Sequence, residues 1–174
     1  FLCKGCGICI GACPANVIYL NHWPSIKPLA EVKAILSHQE LREDQPLDAK
    51  PLVVFACDEC AHSTVDAAGI RRIQYPSNVY IVRVPCIGIV SLSLLLETLQ
   101  LGAEGVLLLG CLKDRCQYLE GGYITERKLI MLRQILREFG VDANRVGVEY
   151  VSAESPEPFV NAVKGMLDPS RIKY

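Results

Sequence analysis

The spacing of the cysteines is the feature of this sequence that most limits how the chain can fold. Cysteine occurs nine times, an odd number, and its first four occurrences follow the pattern C-x2-C-x2-C-x3-C-P. These four are Cys3, Cys6, Cys9 and Cys13. Short intervals of this kind place several thiolates around one inorganic centre, whereas secreted disulfide frameworks spread their cysteines along the chain. The run therefore predicts a segment that can hardly fold without metal.

The run matches that of bacterial ferredoxins and predicts a 4Fe-4S cluster. Gly5, Gly7 and Gly11 lie between the cysteines, where glycine permits close approach of the backbone and amide donation to the sulfides. A structural zinc site usually shows two separated cysteine pairs instead. In two-cluster ferredoxins the fourth cysteine of a run binds the other cluster. Cys13 therefore serves either the same cubane as Cys3 or a second one with ligands upstream.

The sequence divides into three parts. Residues 1–25 form the ferredoxin-type module, 26–50 hold a predicted helix at 29–38 and a polar linker at 42–48, and 51–174 form a second domain. Phe1 stands two residues before the first cysteine, which leaves no room for the strand that leads into such a loop. We expect the chain to be a piece of a longer polypeptide or to lack residues before Phe1.

From Pro51 onwards, short apolar runs alternate with helical patterns. The predicted strands are 52–56, 79–84, 105–109 and 145–151, and the predicted helices are 63–72, 89–101, 125–139 and 156–167. Parallel strands need crossover helices, which cover both faces of the sheet. The alternation predicts a small three-layer α/β domain with a parallel, flavodoxin-like sheet. In the third helix we expect one buried face formed by Leu129, Leu132, Ile135, Leu136 and Phe139.

The other five cysteines fall at equivalent places in this sheet. Cys57, Cys86 and Cys111 each follow a strand, and Cys60 and Cys116 lie in the loops just beyond. The C-terminal ends of parallel strands form one edge, so we expect all five thiols there. Four thiolates complete a 2Fe-2S cluster or a zinc site, and the fifth is then a spare or redox thiol. For any single one, a small buried hydrophobe is the alternative.

Two other functions stay open at this point. In one, the second domain only docks to a partner, and its cysteines bind zinc or remain thiols. In the other, Cys111 and Cys116 form a dithiol/disulfide redox pair of an enzyme. No catalytic residue is predicted, because no Ser/His/Asp or Cys/His set is evident. His62 is interpreted as a loop or helix-start residue, and His22 and His38 as solvated side chains.

Composition excludes several function classes. A net charge of −1 gives no electrostatic case for nucleic acid. The most apolar stretch, 87–96, is far shorter than the roughly 20 residues that span a bilayer, so we expect no direct membrane insertion. The clustered cysteines and the absence of a recognisable signal peptide predict a reducing, cytoplasmic location.

The second domain resembles the delta subunit of methyl viologen-reducing hydrogenase, which also occurs fused to heterodisulfide reductase A-like flavoproteins and to quinone-modifying oxidoreductase subunits. The resemblance covers residues 51–167 and rests on segments 55–60, 74–79, 82–88, 102–106, 110–111, 116–118, 122–123 and 152–154. The sequence departs from the family pattern at Gln117, where a histidine often follows the cysteine, and in the loop 112–115. A ferredoxin run directly before this domain matches the fused architecture.

The resemblance implies an electron-transfer component of an oxidoreductase complex. It implies a 2Fe-2S cluster held by four of the five cysteines Cys57, Cys60, Cys86, Cys111 and Cys116. Electrons would pass to or from the FAD and 4Fe-4S clusters of a heterodisulfide reductase A-like flavoprotein, a hydrogenase or other redox subunits of a multi-subunit complex. The FAD is expected on a partner or an upstream segment and not in this chain.

Overall fold

The computed structural model describes residues 3–15, 17–21, 23–24, 26–37 and 50–168. The predicted linker 42–48, His22, His38 and the final residues 169–174 lie outside the described residues. Among the described helices, none is both long enough and apolar enough to cross a membrane.

The centre of the second domain is a four-stranded parallel sheet. Its strands are β1 (Leu52–Cys57), β2 (Val79–Val84), β3 (Gly105–Cys111) and β4 (Val146–Val151). They pair in the order β2-β1-β3-β4, and every pair is parallel. The central strands β1 and β3 are buried along their whole length because helices cover both of their faces. The predicted parallel sheet is confirmed, and the order matches the first four strands of a flavodoxin-like sheet.

Six helices accompany the sheet in the part of the chain that the structure describes. They are α1 (Ile8–Ala12), α2 (Ile26–Ser37), α3 (Ala61–Ile70), α4 (Leu92–Gln100), α5 (Gly121–Glu138) and α6 (Glu157–Met166). Right-handed crossovers place α3 and α6 on one face and α4 and α5 on the other. Contacts between α3 and α6, and between α2 and α4, agree with this arrangement. The three-layer architecture predicted from the alternation is confirmed.

The predicted apolar face of α5 is right for three of its five residues. Leu129, Leu132 and Leu136 are buried, but Ile135 is 36% exposed and Phe139 is 81% exposed. Ile135 is rotated by about 100° around the helix from its neighbour Leu136, which turns its side chain away from the sheet. Phe139 lies beyond the last residue of α5, and Gly140 then takes a positive φ of 69° that ends the helix.

The predicted helix 89–101 is interrupted at its start. A 3-10 turn at Ile87–Ile89 follows Cys86, and α4 begins only at Leu92. Ser91 caps α4, since its hydroxyl accepts a hydrogen bond from the Leu94 amide at 3.2 Å. The residues on both sides of this break are mostly apolar, so the hydrophobic pattern of the sequence did not reveal it. The 3-10 turn matters because it directly follows Cys86 and packs against helix α1 of the N-terminal module.

The described part of the N-terminal module contains little regular structure. Helix α1 has five residues, and an isolated antiparallel bridge joins Leu20 to Trp23. Helix α1 packs on the 3-10 turn Ile87–Ile89 of the second domain. The ferredoxin-like fold of this module stays a prediction.

Candidate metal centre

Two cysteines meet at the carboxyl edge of the sheet. Cys57 is the last residue of β1 and Cys111 the last residue of β3, the neighbouring strand. Their sulfur atoms lie 3.5 Å apart. Two thiolates on one tetrahedral metal lie about 3.8 Å apart when each metal–sulfur bond is about 2.3 Å. The two side chains are therefore placed as a pair of ligands to one metal would be.

The surroundings of Cys57 favour its thiolate. The hydrogen bond from the Cys111 thiol is the largest cause that lowers the pKa of Cys57 to about 7, with the backbone amides of Glu59 and Cys60 acting in the same direction. Burial opposes this shift. The pKa of Cys111 is raised, first by the same hydrogen bond and then by burial. The pair therefore carries its negative charge on Cys57, the residue that faces the amide donors.

Cys86 and Cys116 form a second pair of cysteines at this edge. Both are buried, and both lie close to the backbone of Gly121 at the start of α5. A Cβ added to Gly121 would collide with Cys86 Sγ and would lie 3.9 Å from Cys116 Sγ. The Gly88 amide lies 3.5 Å from Cys86 Sγ as a hydrogen-bond donor. The pKa of Cys86 is raised to about 12, chiefly by burial and also by the charges of Cys57 and Cys116, against the opposing hydrogen bond from Gly88.

Cys60 completes the group at the edge. It is half-buried, unlike the other four, and directly precedes α3. Its side chain is one of the groups that raise the pKa of Cys111. The structure thus brings all five thiols of the second domain to the edge where the sequence placed them. We refer to these five residues, which surround the carboxyl ends of β1, β2 and β3, as the rim cysteines.

The donor set of the rim suits an iron–sulfur centre in its chemistry. Thiolates are the usual ligands of such clusters, and hydrogen bonds from amide groups tune them. Here Cys57 and Cys86 each receive backbone N–H groups. Within the ranges that the structure describes, no three or more His, Cys, Asp or Glu side chains surround the position of a single ion.

Side-chain contacts hold the rim loops in place. Tyr118 donates a hydrogen bond of 3.3 Å to Glu59 Oε1, which joins the loop after β3 to the loop after β1. Burial raises the pKa of Tyr118 to about 12, and the charge of Glu59 adds to this. Asp58, in the same loop as Glu59, pairs with Arg83 of β2. These contacts fix the loops that carry Cys60 and Cys116.

Lys113 anchors the loop between Cys111 and Cys116. Its ammonium lies 2.5 Å from Glu126 Oε1 on α5. It also lies 5.4 Å from the ring centre of Tyr123 and 5.0 Å from that of Tyr150. The Tyr150 hydroxyl donates to Gly122 O at 3.0 Å. This loop departs from the family pattern in sequence, yet it is tied firmly to α5.

His62 lies where the sequence interpretation placed it. It occupies the first turn of α3, and its Nδ1 lies 3.3 Å from Asp66 Oδ2 one turn further on. The partner of the His62 side chain is therefore the Asp66 carboxylate on the same helix. The interpretation of His62 as a helix-start residue is confirmed.

The N-terminal cysteines lie beside the rim. Cys3 and Cys9 are exposed, and Cys6 and Cys13 are half-buried. Cys6 is close enough to Cys86 for its charge to raise the pKa of Cys86. Lys4 Nζ donates to Gln117 O at 3.3 Å, which attaches the first loop of the module to the residue after Cys116. The N-terminal loop is therefore in direct contact with the second domain, and Cys6 lies near Cys86.

Glycine backbone forms much of this contact, against both backbone and isoleucine side chains. A Cβ on Gly11 would lie 2.5 Å from Gly88 O, and one on Gly7 would collide with the Ile89 side chain. A Cβ on Gly88 would lie 2.7 Å from Ile8 Cγ1. Sequence reasoning assigned Gly7 and Gly11 to close approach around a cluster. The structure shows that the same glycines also leave room for the 3-10 turn Ile87–Ile89 of the second domain.

Lys128 is a residue of this region that sequence reasoning missed. It lies on α5, and its ammonium donates to Gly88 O at 2.8 Å and to Val90 O at 3.2 Å. Burial lowers the pKa of Lys128 to about 8, and the charge of Cys86 acts in the opposite direction. A polar residue beside the predicted apolar face of α5 gave no sign of this contact, because its partners are backbone carbonyls about 40 residues away along the chain.

Comparison with known proteins identifies the family of the second domain. The family model described as methyl-viologen-reducing hydrogenase, delta subunit, matches residues 52–171. The chain belongs to this delta-subunit family. Its relatives include the vhu iron-sulfur subunit of an F420-non-reducing hydrogenase from Methanopyrus kandleri, which is 39% identical over 66% of this chain and 87% of the relative. The corresponding vhc iron-sulfur subunit from Methanococcus voltae is 37% identical over 67% of this chain and 81% of the relative.

A longer match relates the chain to another group of proteins. The A component of the ferredoxin:CoB-CoM heterodisulfide reductase of Methanosarcina mazei is 32% identical over 146 residues, which is 84% of this chain and 18% of the relative. The chain thus spans less than a fifth of the length of that relative. A match of this extent includes residues on the N-terminal side of the delta-subunit domain. The resemblance inferred from the sequence is confirmed for the family.

Proposed function

We propose that this chain is an electron-transfer iron–sulfur segment of a multi-subunit redox complex. It relays electrons between 4Fe-4S ligation by Cys3, Cys6, Cys9 and Cys13, with Cys13 on the same cubane as Cys3 or on a second one, and a 2Fe-2S centre on four of the five rim cysteines. Beyond these centres, electrons pass to or from a heterodisulfide reductase A-like flavoprotein, whose FAD is not part of this chain, or a hydrogenase. The protein binds no small substrate of its own.

The observation that carries this proposal is the convergence of the rim cysteines. Five thiols from three separate segments of the sequence reach one edge, and the sulfur atoms of Cys57 and Cys111 lie 3.5 Å apart. A second pair, Cys86 and Cys116, flanks Gly121. Two thiolate pairs are the donor set of a centre with two irons. The relatives whose names describe iron-sulfur subunits of hydrogenases support the same assignment.

The experiment is metal analysis of the anaerobically purified chain. Iron and acid-labile sulfide should be present in amounts that fit both centres, and EPR after reduction should show a cubane signal and a separate 2Fe-2S signal. Iron restricted to the N-terminal module would overturn the rim centre. Zinc at the rim would favour a docking module instead.

The contact between Cys57 and Cys111 also favours a second candidate function. Two buried sulfurs at 3.5 Å, one with a lowered pKa, are the elements of a dithiol/disulfide pair. The sequence had suggested Cys111 with Cys116 for such a pair, whereas the sulfur in contact with Cys111 is that of Cys57. Counting the thiols of the metal-free chain before and after mild oxidation separates the functions. Loss of two thiols that C57S abolishes, together with an absence of rim iron, would support the dithiol.

A further inference from the structure

Lys128 links three parts of the molecule through one carbonyl group. Its ammonium donates to Gly88 O, and the same oxygen lies against the α-carbon of Gly11 in the N-terminal module. The amide of Gly88 meanwhile faces Cys86 Sγ. A single residue of the 3-10 turn therefore joins a half-buried cation, a rim cysteine and the backbone of the N-terminal loop.

The turn is held by the buried side chains of Ile87 and Ile89 and by hydrogen bonds of its backbone. The amides of Ile89 and Val90 donate to the carbonyls of Cys86 and Ile87, as in any short 3-10 turn. Lys128 adds charge-assisted hydrogen bonds at Gly88 and Val90. Hydrogen bonds to charged groups are about twice as strong as neutral ones. Lys128 therefore contributes to the position of the turn, and with it to the position of Cys86 Sγ.

The charge of Lys128 also acts on the rim. Reduction adds negative charge to a cluster, and a cation in surroundings of low dielectric constant stabilises the reduced form. Reduction potentials of iron–sulfur centres depend on net charge and on hydrogen bonds to the sulfurs. The ammonium is separated from Cys86 Sγ by the backbone of one turn, so it contributes to both factors.

We propose that Lys128 is a positioning residue for the rim centre: it holds the Cys86 turn, keeps the N-terminal cysteine loop seated on that turn, and raises the reduction potential of the centre. This inference rests on the proposed electron-transfer function for its redox part. Its positional part concerns the polypeptide alone and holds in the metal-free chain.

The redox test compares variants of the full, iron-loaded chain by potentiometric titration followed by EPR. K128M should lower the midpoint potential of the rim signal, and K128R should restore most of it. K128Q keeps hydrogen-bond donors without the charge. It should therefore keep the N-terminal loop in contact with the 3-10 turn but still lower the midpoint potential of the rim signal. An unchanged potential in both K128M and K128Q would overturn the redox part.

Arg133 offers a matched control on the same helix. It is also a half-buried cation, and it donates from Nε and Nη2 to a backbone carbonyl, that of Val146. Val146 begins β4, at the opposite end of the strands from the rim. R133M should lower stability without shifting the rim potential. An equal shift in R133M would show that any loss of stability on α5 has this effect, which contradicts the proposal.

The positional test uses the metal-free chain and amide hydrogen exchange. K128M should speed exchange at Ile89 and Val90 on the order of tenfold, the effect of losing one hydrogen bond to a charged group, and R133M should not. Unchanged exchange in K128M would overturn the positional part. Because this readout needs no cluster, it stays informative even if metal analysis shows that the rim carries no iron.

Discussion

Cys57 and Cys111, 54 residues apart in the chain, hold their sulfur atoms 3.5 Å apart at the carboxyl ends of adjacent strands. These two strands, β1 and β3, lie where the sheet order reverses direction. In open α/β sheets ligands bind at such a switch point because the loops on either side diverge and leave a crevice. The pair therefore occupies the place in this fold where a bound group is most readily accommodated.

Cys60 is the rim cysteine that we expect to be dispensable. It is half-buried, whereas Cys57, Cys86, Cys111 and Cys116 are all buried. Individual replacement by serine should remove about two iron atoms per chain for each buried cysteine, since a 2Fe-2S cluster needs four ligands, and C60S should retain them. Iron and sulfide analysis measures the outcome. Retention of rim iron in any of the other four variants would contradict this assignment.

Gly121 should tolerate no side chain. A Cβ there would collide with Cys86 Sγ, which is buried and cannot move away freely. We expect G121A to lower the free energy of unfolding by about 1–3 kcal/mol, the usual cost of overpacking, and to disturb the rim. Denaturation of the metal-free chain measures this.

Gly69 on α3 provides the control for that substitution. A Cβ at Gly69 would meet no atom within 4 Å. Because glycine within a helix costs roughly 0.5–1 kcal/mol relative to alanine, G69A should stabilise the chain. Equal behaviour of G69A and G121A would show that the contact with Cys86 is unimportant.

Gly11 should determine whether the N-terminal loop stays on the second domain. A Cβ there would collide with the carbonyl oxygens of Gly88 and Ile89, which are backbone atoms held in a 3-10 turn. G11A should therefore increase proteolytic cleavage between α1 and α2, while the stability of the second domain stays unchanged. The exposed neighbour Ala12 supplies the control, because A12S should leave the cleavage rate as it is. An unaltered cleavage rate in G11A would show that Gly11 does not hold the N-terminal loop on the second domain.

The thiolate of Cys57 should form well below the ordinary pKa of 9. In the metal-free chain its pKa is about 7, chiefly because the Cys111 thiol donates to it. Cys57 should thus be half-ionised near pH 7, largely thiol below this pH and thiolate above it. The difference in thiolate ultraviolet absorbance between the chain and C57A, followed against pH, gives the midpoint.

Replacing Cys111 should raise that midpoint, because the donor that lowers the pKa of Cys57 is then lost. C86A is the control, since Cys86 is not among the groups that shift Cys57. A midpoint that stays near 7 in C111A would mean that the backbone amides of Glu59 and Cys60, and not the neighbouring thiol, hold the charge.

Much of the fold could be predicted from local patterns. The apolar runs marked all four strands to within two residues, because β1 and β3 are buried on both faces and therefore carry no polar interruptions. The failures came where local pattern and tertiary position differ. Ile135 and Phe139 are apolar and helically spaced, yet they point away from the sheet. Ser91 divided a continuous apolar run by capping α4.

From the amino-acid sequence alone, the candidate ligand cysteines and the edge of the sheet where they gather could be predicted. Cysteine spacing and the alternation of strands and helices are local features of the sequence. Because the carboxyl ends of parallel strands lie at one edge of a sheet, these features also predict where the cysteines lie. The contacts of Cys57 with Cys111, of Gly11 with Gly88, and of Lys128 with the 3-10 turn appear only once the chain is folded. These contacts join residues far apart along the chain, and their partners are mostly backbone atoms, which leave no trace in residue identity.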